Sequence, residues 1–172
     1  MAGNLPDNLE ITPDGKALWR GRIWRCALGR GGVLQEKREG DGATPIGSWA
    51  MRQLLYRADR QPPPSTRLSL APIGRDDGWC DAPEDELYNR PVTLPYKASA
   101  EHLWRADEVY DLIVPLGYND RLPKADLGSA IFLHVARPDY APTAGCVALS
   151  QADLLTLLAE ADPRSRVVVR GP

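Results

Sequence analysis

Between Ala130 and Leu149 the chain carries two short apolar runs separated by a loop. Ala130-Ile131-Phe132-Leu133 reads as a buried strand, and it delivers His134. Pro138, Asp139 and Pro142 mark the loop. Thr143-Ala144-Gly145-Cys146 leads into the second run, Val147-Ala148-Leu149, and Ser150 then opens a helix. A histidine and a cysteine thus stand at the two ends of one loop, twelve positions apart. If the flanking strands pair, imidazole and thiol come together.

That pairing has chemical consequences. A free thiol has a pKa of about 8.5 and is mostly protonated at neutral pH. An imidazole neighbour lowers this to roughly 3.5–7.5 in reactive sites. Gly145 permits close backbone approach beside the sulfur. The Gly145 and Cys146 N–H groups are candidates to hold an oxyanion. The chemistry expected of such a group is acyl transfer through a thioester. Cysteine is also among the residues most often buried as a plain small hydrophobe, and a histidine beside a strand is commonly structural. The residue types alone leave both readings open.

A resemblance adds weight to the first. The stretch resembles the catalytic motif of L,D-transpeptidases of the YkuD type, a strand ending in His, a loop, then Ser/Thr-His-Gly-Cys. His134, Thr143, Gly145 and Cys146 match it. Far upstream, Asp41-Gly42-Ala43-Thr44-Pro45-Ile46-Gly47 is similar to the family's D-G-x-T-P-x-G turn. The resemblance runs from about Gly21 to Arg170. Ala144 stands where the family usually has a second His, and Ala148 where it has Arg or Asn. The spacing from His134 to Cys146 is also short, which marks a divergent member.

The resemblance implies a curved β-sandwich with Cys146 as nucleophile and His134 as its base. It implies peptidoglycan stem peptides or muropeptides as partners, and a strand beside the His strand whose end-turn reaches the site. Tyr118 in that turn, Thr143 and Arg137 are candidates for gripping the donor peptide. An arginine there has an electrostatic reason, since a stem peptide carries carboxylates. An exposed loop charge accounts for Arg137 equally well, and a turn aromatic for Tyr118.

The remaining sequence bounds the class. With 172 residues the chain reads as one domain from residue 9 to 172, after a loose tail over residues 1–8. Its 16 prolines and 15 glycines argue for many turns and little helix, hence a mainly-β chain. A net charge of −2 gives no mark of nucleic-acid binding. No apolar run is long enough for a membrane span. The N-terminus lacks the basic start and apolar core of a signal peptide, so the chain as written is expected in the cytoplasm, whereas the resemblance implies the periplasm or cell wall. Cys26, Cys80 and Cys146 are widely spaced, and with only His102 and His134 no metal or cofactor is expected. Cys26 is expected on the core face of its strand, and His102 at the surface.

Along the chain, Pro13-Asp14-Gly15 predicts a hairpin between Glu10 and Trp19. Arg22–Leu28 reads as a strand and Gly29–Gly32 as a glycine-rich turn. Gln35–Gly42 reads as a solvated loop and Ser48–Tyr56 as one strand. Arg57–Thr66, with three prolines, reads as a stiff surface connection, and Leu68–Leu70 as a strand. The Trp79 and Tyr88 region either lines a groove or plugs a loop onto the core. Ser99–Arg105 predicts a short helical turn and Val109–Leu116 a strand. Ser150 caps a leucine-faced helix stopped at Asp162-Pro163, and Ser165–Arg170 closes as a strand.

Three functions follow from this reading. They are a peptidoglycan L,D-transpeptidase working through an acyl-enzyme, a hydrolase (L,D-carboxypeptidase or amidase) using the same Cys–His site on muropeptides, and a non-catalytic peptidoglycan-binding module.

Overall fold

The computed structural model describes residues 7–172; most of the expected N-terminal tail lies outside the described residues. The strands are β1 (Leu9–Thr12), β2 (Lys16–Trp19), β3 (Arg22–Ala27), β4 (Val33–Leu34), β5 (Thr44–Pro45), β6 (Gly47–Ala50), β7 (Leu54–Tyr56) and β8 (Leu70–Pro72). They continue with β9 (Asp77–Cys80), β10 (Pro91–Thr93), β11 (Ala100–His102), β12 (Leu112–Pro115), β13 (Phe132–Val135) and β14 (Val147–Leu149). Helix α1 (Gln151–Glu160) follows, and β15 (Arg166–Val169) ends the chain. The class is mainly β with one helix near the C-terminus, as expected.

Ten strands form one sheet in the order β6-β15-β1-β2-β3-β14-β13-β12-β7-β8. The sheet curls onto itself. Met51, just past β6, bridges Leu116, just past β12, and the Gly117 N–H donates to Ala50 O at 2.9 Å. Inside the curl lies the main core, where Leu133, Val135, Val147 and Leu149 meet Leu154, Leu157 and Leu158 of α1. Ser150 caps that helix, its Oγ accepting from the Asp153 N–H at 3.1 Å.

Alternate residues of the central strands face the other way. Ile113, Phe132 and Cys146 enter a second cluster with Trp79, Leu103, Val109 and Tyr110. A separate three-stranded sheet, β10-β9-β11, covers this face. The central strands are therefore buried on both sides, which is why β12 and β14 read as unbroken apolar runs and β13 is interrupted only by His134. A cavity lies between this face and its cover.

Several local expectations are corrected. Ser48–Tyr56 is two strands, β6 and β7, set far apart in the sheet order, because the chain leaves one edge at Met51 and joins β12. Ser99–Arg105 contains no helical turn. Ala100, Glu101 and His102 pair with Cys80, Trp79 and Gly78, and strand pairing satisfies the backbone that a lone helical turn would leave open. The strand expected at Leu68 starts at Leu70, and Val109–Asp111 precede β12 instead of belonging to it. The strand carrying His134 runs on to Val135. The Pro-Asp-Gly hairpin forms, with Gly15 in the left-handed region at φ +81°. Trp79 plugs onto the core, its ring edge-on to Phe132 at 5.2 Å.

Candidate active site

β13 and β14 run parallel, with His134 opposite Ala148. Cys146 therefore stands beside Phe132, and His134 lies two residues further along, about 6.6 Å at the usual strand rise. The two side chains share one face, and both line a cavity of about 320 Å³. Arg30, Lys37, Glu101, Arg105, Tyr110 and Arg137 line the same cavity.

The sulfur is held by backbone. The Phe132 N–H donates to Cys146 Sγ at 3.3 Å, and the thiol donates to Ala130 O at 3.3 Å. Among the described residues no hydrogen bond joins Cys146 to His134. The imidazole Nδ1 lies 2.9 Å from Val135 O, which makes Nδ1 the protonated nitrogen and leaves Nε2 as acceptor. Tyr110 packs edge-on against the imidazole, with ring centroids 5.3 Å apart.

Burial governs both titrations. It pushes the Cys146 thiol up to about 12, with the Glu101 charge adding to the rise and the Phe132 N–H opposing it. It pulls His134 down to about 4. At neutral pH the resting pair is a neutral thiol beside a neutral imidazole. This corrects the depressed thiol pKa expected from sequence, because no hydrogen bond from the imidazole offsets the loss of solvent.

The turn before Cys146 is fixed by glycines and one threonine. Gly145 has φ +136°, and a Cβ there would stand 2.8 Å from Ala43 O. A Cβ on Gly29 would stand 2.1 Å from Gly42 O. Close backbone approach thus seats the Asp41–Gly47 turn against the cysteine loop. Thr143 Oγ1 donates to Cys146 O at 2.7 Å and accepts from the Gly145 N–H at 3.1 Å. The Gly145 N–H expected for an oxyanion is therefore already engaged. The Cys146 N–H makes no hydrogen bond among the described residues.

Of the other predicted site residues, Thr143 and Arg137 reach the cavity. The half-exposed Arg137 is 3.4 Å from Asp107, which also binds Arg105 at 2.6 Å. Tyr118 does not line the cavity. Its hydroxyl donates to Leu127 O and its ring packs edge-on to Trp49 at 5.0 Å, so β12 carries it away from the site. His102 is exposed, and Cys26 and Cys80 are buried outside the cavity.

Sequence reasoning missed several lining residues. Lys37 was expected in a solvated loop but is 4% exposed, its Nζ 2.7 Å from Asp41 Oδ1. Glu101 and Arg105 lay in the segment read as a helical turn. The Tyr110 hydroxyl donates to Glu101, whose carboxyl burial raises above its usual range. Asp81 also lines the cavity, and its buried Oδ1 has no hydrogen-bond partner among the described residues. Among the described residues no group of three or more His, Cys, Asp and Glu is placed to hold a metal ion, and no helix is long and apolar enough to cross a membrane.

The chain is similar in structure to an L,D-transpeptidase (residues 123–326) from Xylanimonas cellulosilytica, at 16% identity and TM-score 0.43 over 99% of this chain and 63% of that one. It is also similar to an L,D-transpeptidase from Mycobacterium smegmatis, at 11% identity and TM-score 0.44 over 96% and 59%. A third similar structure is Mycobacterium tuberculosis L,D-transpeptidase 1, at 13% identity and TM-score 0.42 over 96% and 62%. The chain thus spans less than two thirds of the length of the solved structures it matches. No curated protein matches it. The family profile of the L,D-transpeptidase catalytic domain matches residues 3–169, nearly the whole chain, and by that measure the chain belongs to the YkuD family of L,D-transpeptidase catalytic domains.

Proposed function

We propose that this domain is a cysteine-dependent L,D-transpeptidase that works through an acyl-enzyme on peptidoglycan stem peptides. The observation that carries the reading is that Cys146 is the one of the three cysteines that lines this cavity, and shares it with an imidazole whose Nε2 is an acceptor. Cys146 is the nucleophile, and His134 accepts its proton as sulfur bonds to the donor carbonyl carbon. The oxygen becomes an oxyanion, for which the Cys146 N–H is the open donor. Collapse breaks the C–N bond, the leaving amine takes the proton from His134, and a thioester remains. An acceptor amine then attacks the thioester and gives its proton to His134, and the expelled sulfur regains a proton. Arg30, Arg105 and Arg137 supply positive charge for stem-peptide carboxylates. Thr143, which lines the cavity, holds the nucleophile turn together through its hydroxyl.

The non-catalytic reading has one observation in its favour. Burial raises the Cys146 thiol as it would an inert core cysteine. Incubation with muropeptides followed by mass spectrometry separates the readings. Cross-linked dimers with an acyl adduct on Cys146 are expected. Shortened monomers with that adduct mean that water is the acceptor. Folded protein that gives neither product nor adduct refutes catalysis.

A further inference from the structure

The cradle around the sulfur is held from outside the main sheet. Ala130, whose carbonyl accepts the hydrogen bond of the thiol, has φ +52°, a left-handed conformation uncommon for a residue other than glycine. Its N–H donates to Asn89 Oδ1 at 3.0 Å. Asn89 itself is 3% exposed and sits between β9 and β10 of the covering sheet. Its Oδ1 also accepts from Trp79 Nε1 at 2.9 Å, and its Nδ2 donates to Tyr118 O at 3.1 Å and Asn119 O at 2.8 Å. Every hydrogen-bonding position of the amide is thereby used, and the donor-only and acceptor-only partners fix which end is oxygen. Trp79, held by the same oxygen, packs edge-on to Phe132, whose N–H is the other partner of the sulfur.

We propose that Asn89 is a positioning residue for Cys146. It holds Ala130 in its left-handed conformation, so that Ala130 O and the Phe132 N–H fix the sulfur from two sides. The loop between β9 and β10 then positions the sulfur through Asn89 alone, although it contributes no group that touches the reacting atoms. This rests on Cys146 being the nucleophile.

The test uses the full chain in a Cys26→Ser, Cys80→Ser background, with two readouts: Cys146 alkylation by iodoacetamide, and muropeptide turnover resolved into kcat and KM. Asn89 has φ +57°, so Asn89→Gly deletes the side chain without straining the backbone. Alkylation is expected to rise at least threefold, because the thiol is no longer held on Ala130 O. Turnover is expected to fall about tenfold in kcat with KM within twofold. Trp79→Phe removes one bond to the same oxygen but leaves the Ala130 bond, and should keep both readouts within threefold of wild type. A folded Asn89→Gly protein with wild-type alkylation and kcat overturns the proposal, as does a Trp79→Phe protein that loses as much kcat as Asn89→Gly. If Asn89→Gly does not fold, Asn89→Asp decides. It keeps both acceptor bonds and loses the two donors, so stability should drop while kcat and alkylation per folded molecule stay within threefold. A tenfold fall in kcat there overturns the proposal. If the wild type turns over no muropeptide, the functional reading fails, while the alkylation comparison still judges the role of Asn89.

Discussion

The Cys146 thiol donates its hydrogen bond to Ala130 O, although the His134 imidazole stands on the same face of the neighbouring parallel strand. In the resting site the thiol is bonded to backbone and not to the imidazole. Alkylation of Cys146 should therefore follow a thiol that titrates well above the free value of about 8.5. His134→Gln should leave that profile nearly unchanged while lowering turnover roughly 10²–10⁴-fold, with partial recovery at high pH. A wild-type midpoint below 8.5 would show a resting ion pair and refute this arrangement.

Only one of the three thiols faces the cavity, so substitution should be selective. Cys146→Ser is expected to fold and to lose turnover, because a hydroxyl is too weakly acidic for His134 to activate as it would a thiol. Cys26→Ser and Cys80→Ser should keep most of the activity. Circular dichroism and the muropeptide assay check both, and turnover surviving in Cys146→Ser would move the nucleophile elsewhere.

His134 should also make the fold acid-sensitive. Burial holds its pKa at about 4, against 6.5 for an ordinary histidine. Between those values the unfolded chain binds the extra proton. The contribution is fully present above pH 6.5 and is lost as pH falls to 4, a drop of about 3 kcal/mol. Urea unfolding at pH 7 and pH 4 should show this drop in wild type and a difference smaller by about that amount in His134→Gln. Equal differences in the two proteins would contradict a buried neutral imidazole.

The Asp41–Gly47 turn should matter to folding more than to chemistry. Thr44 is fully buried and its Oγ1 accepts the Gly29 N–H at 2.9 Å, so Thr44→Ala leaves a buried donor unpaired at a cost of about 1–3 kcal/mol. Gly47 has φ +147°, and a Cβ there would stand 2.4 Å from the Trp49 ring. Both Thr44→Ala and Gly47→Ala should lower Tm while sparing turnover per folded molecule. Normal melting with lost turnover would place the turn inside the active site.

The Ser150 cap gives an independent measure of the helix beneath the site. Ser150 Oγ accepts from the Asp153 N–H and donates to Asp153 Oδ2 at 2.7 Å. Ser150→Ala should cost about 1 kcal/mol in urea unfolding. No change would mean that the packing of Leu154, Leu157 and Leu158 alone holds α1.

Where neighbours in the chain settle a structure, the sequence was enough. Pro13-Asp14-Gly15 folds back because glycine accepts φ > 0, and Ser150 starts a helix because its hydroxyl reaches the Asp153 N–H three residues on. The apolar runs around His134 and Cys146 marked buried strands and placed both residues near one another. Tertiary structure decided everything that depends on a distant partner. Ser99–Arg105 became extended because β9 offered its free edge, which no local pattern in Ala-Glu-His announces. Lys37 was buried by Asp41 and by a cavity built from four separate segments. The sulfur's partners belong to Ala130 and Phe132, and the conformation of Ala130 is held by Asn89, forty-one residues away. A residue's type fixes which bonds it can make, but only the packed chain sets which partner is within about 3 Å, and for Cys146 that partner is a backbone carbonyl.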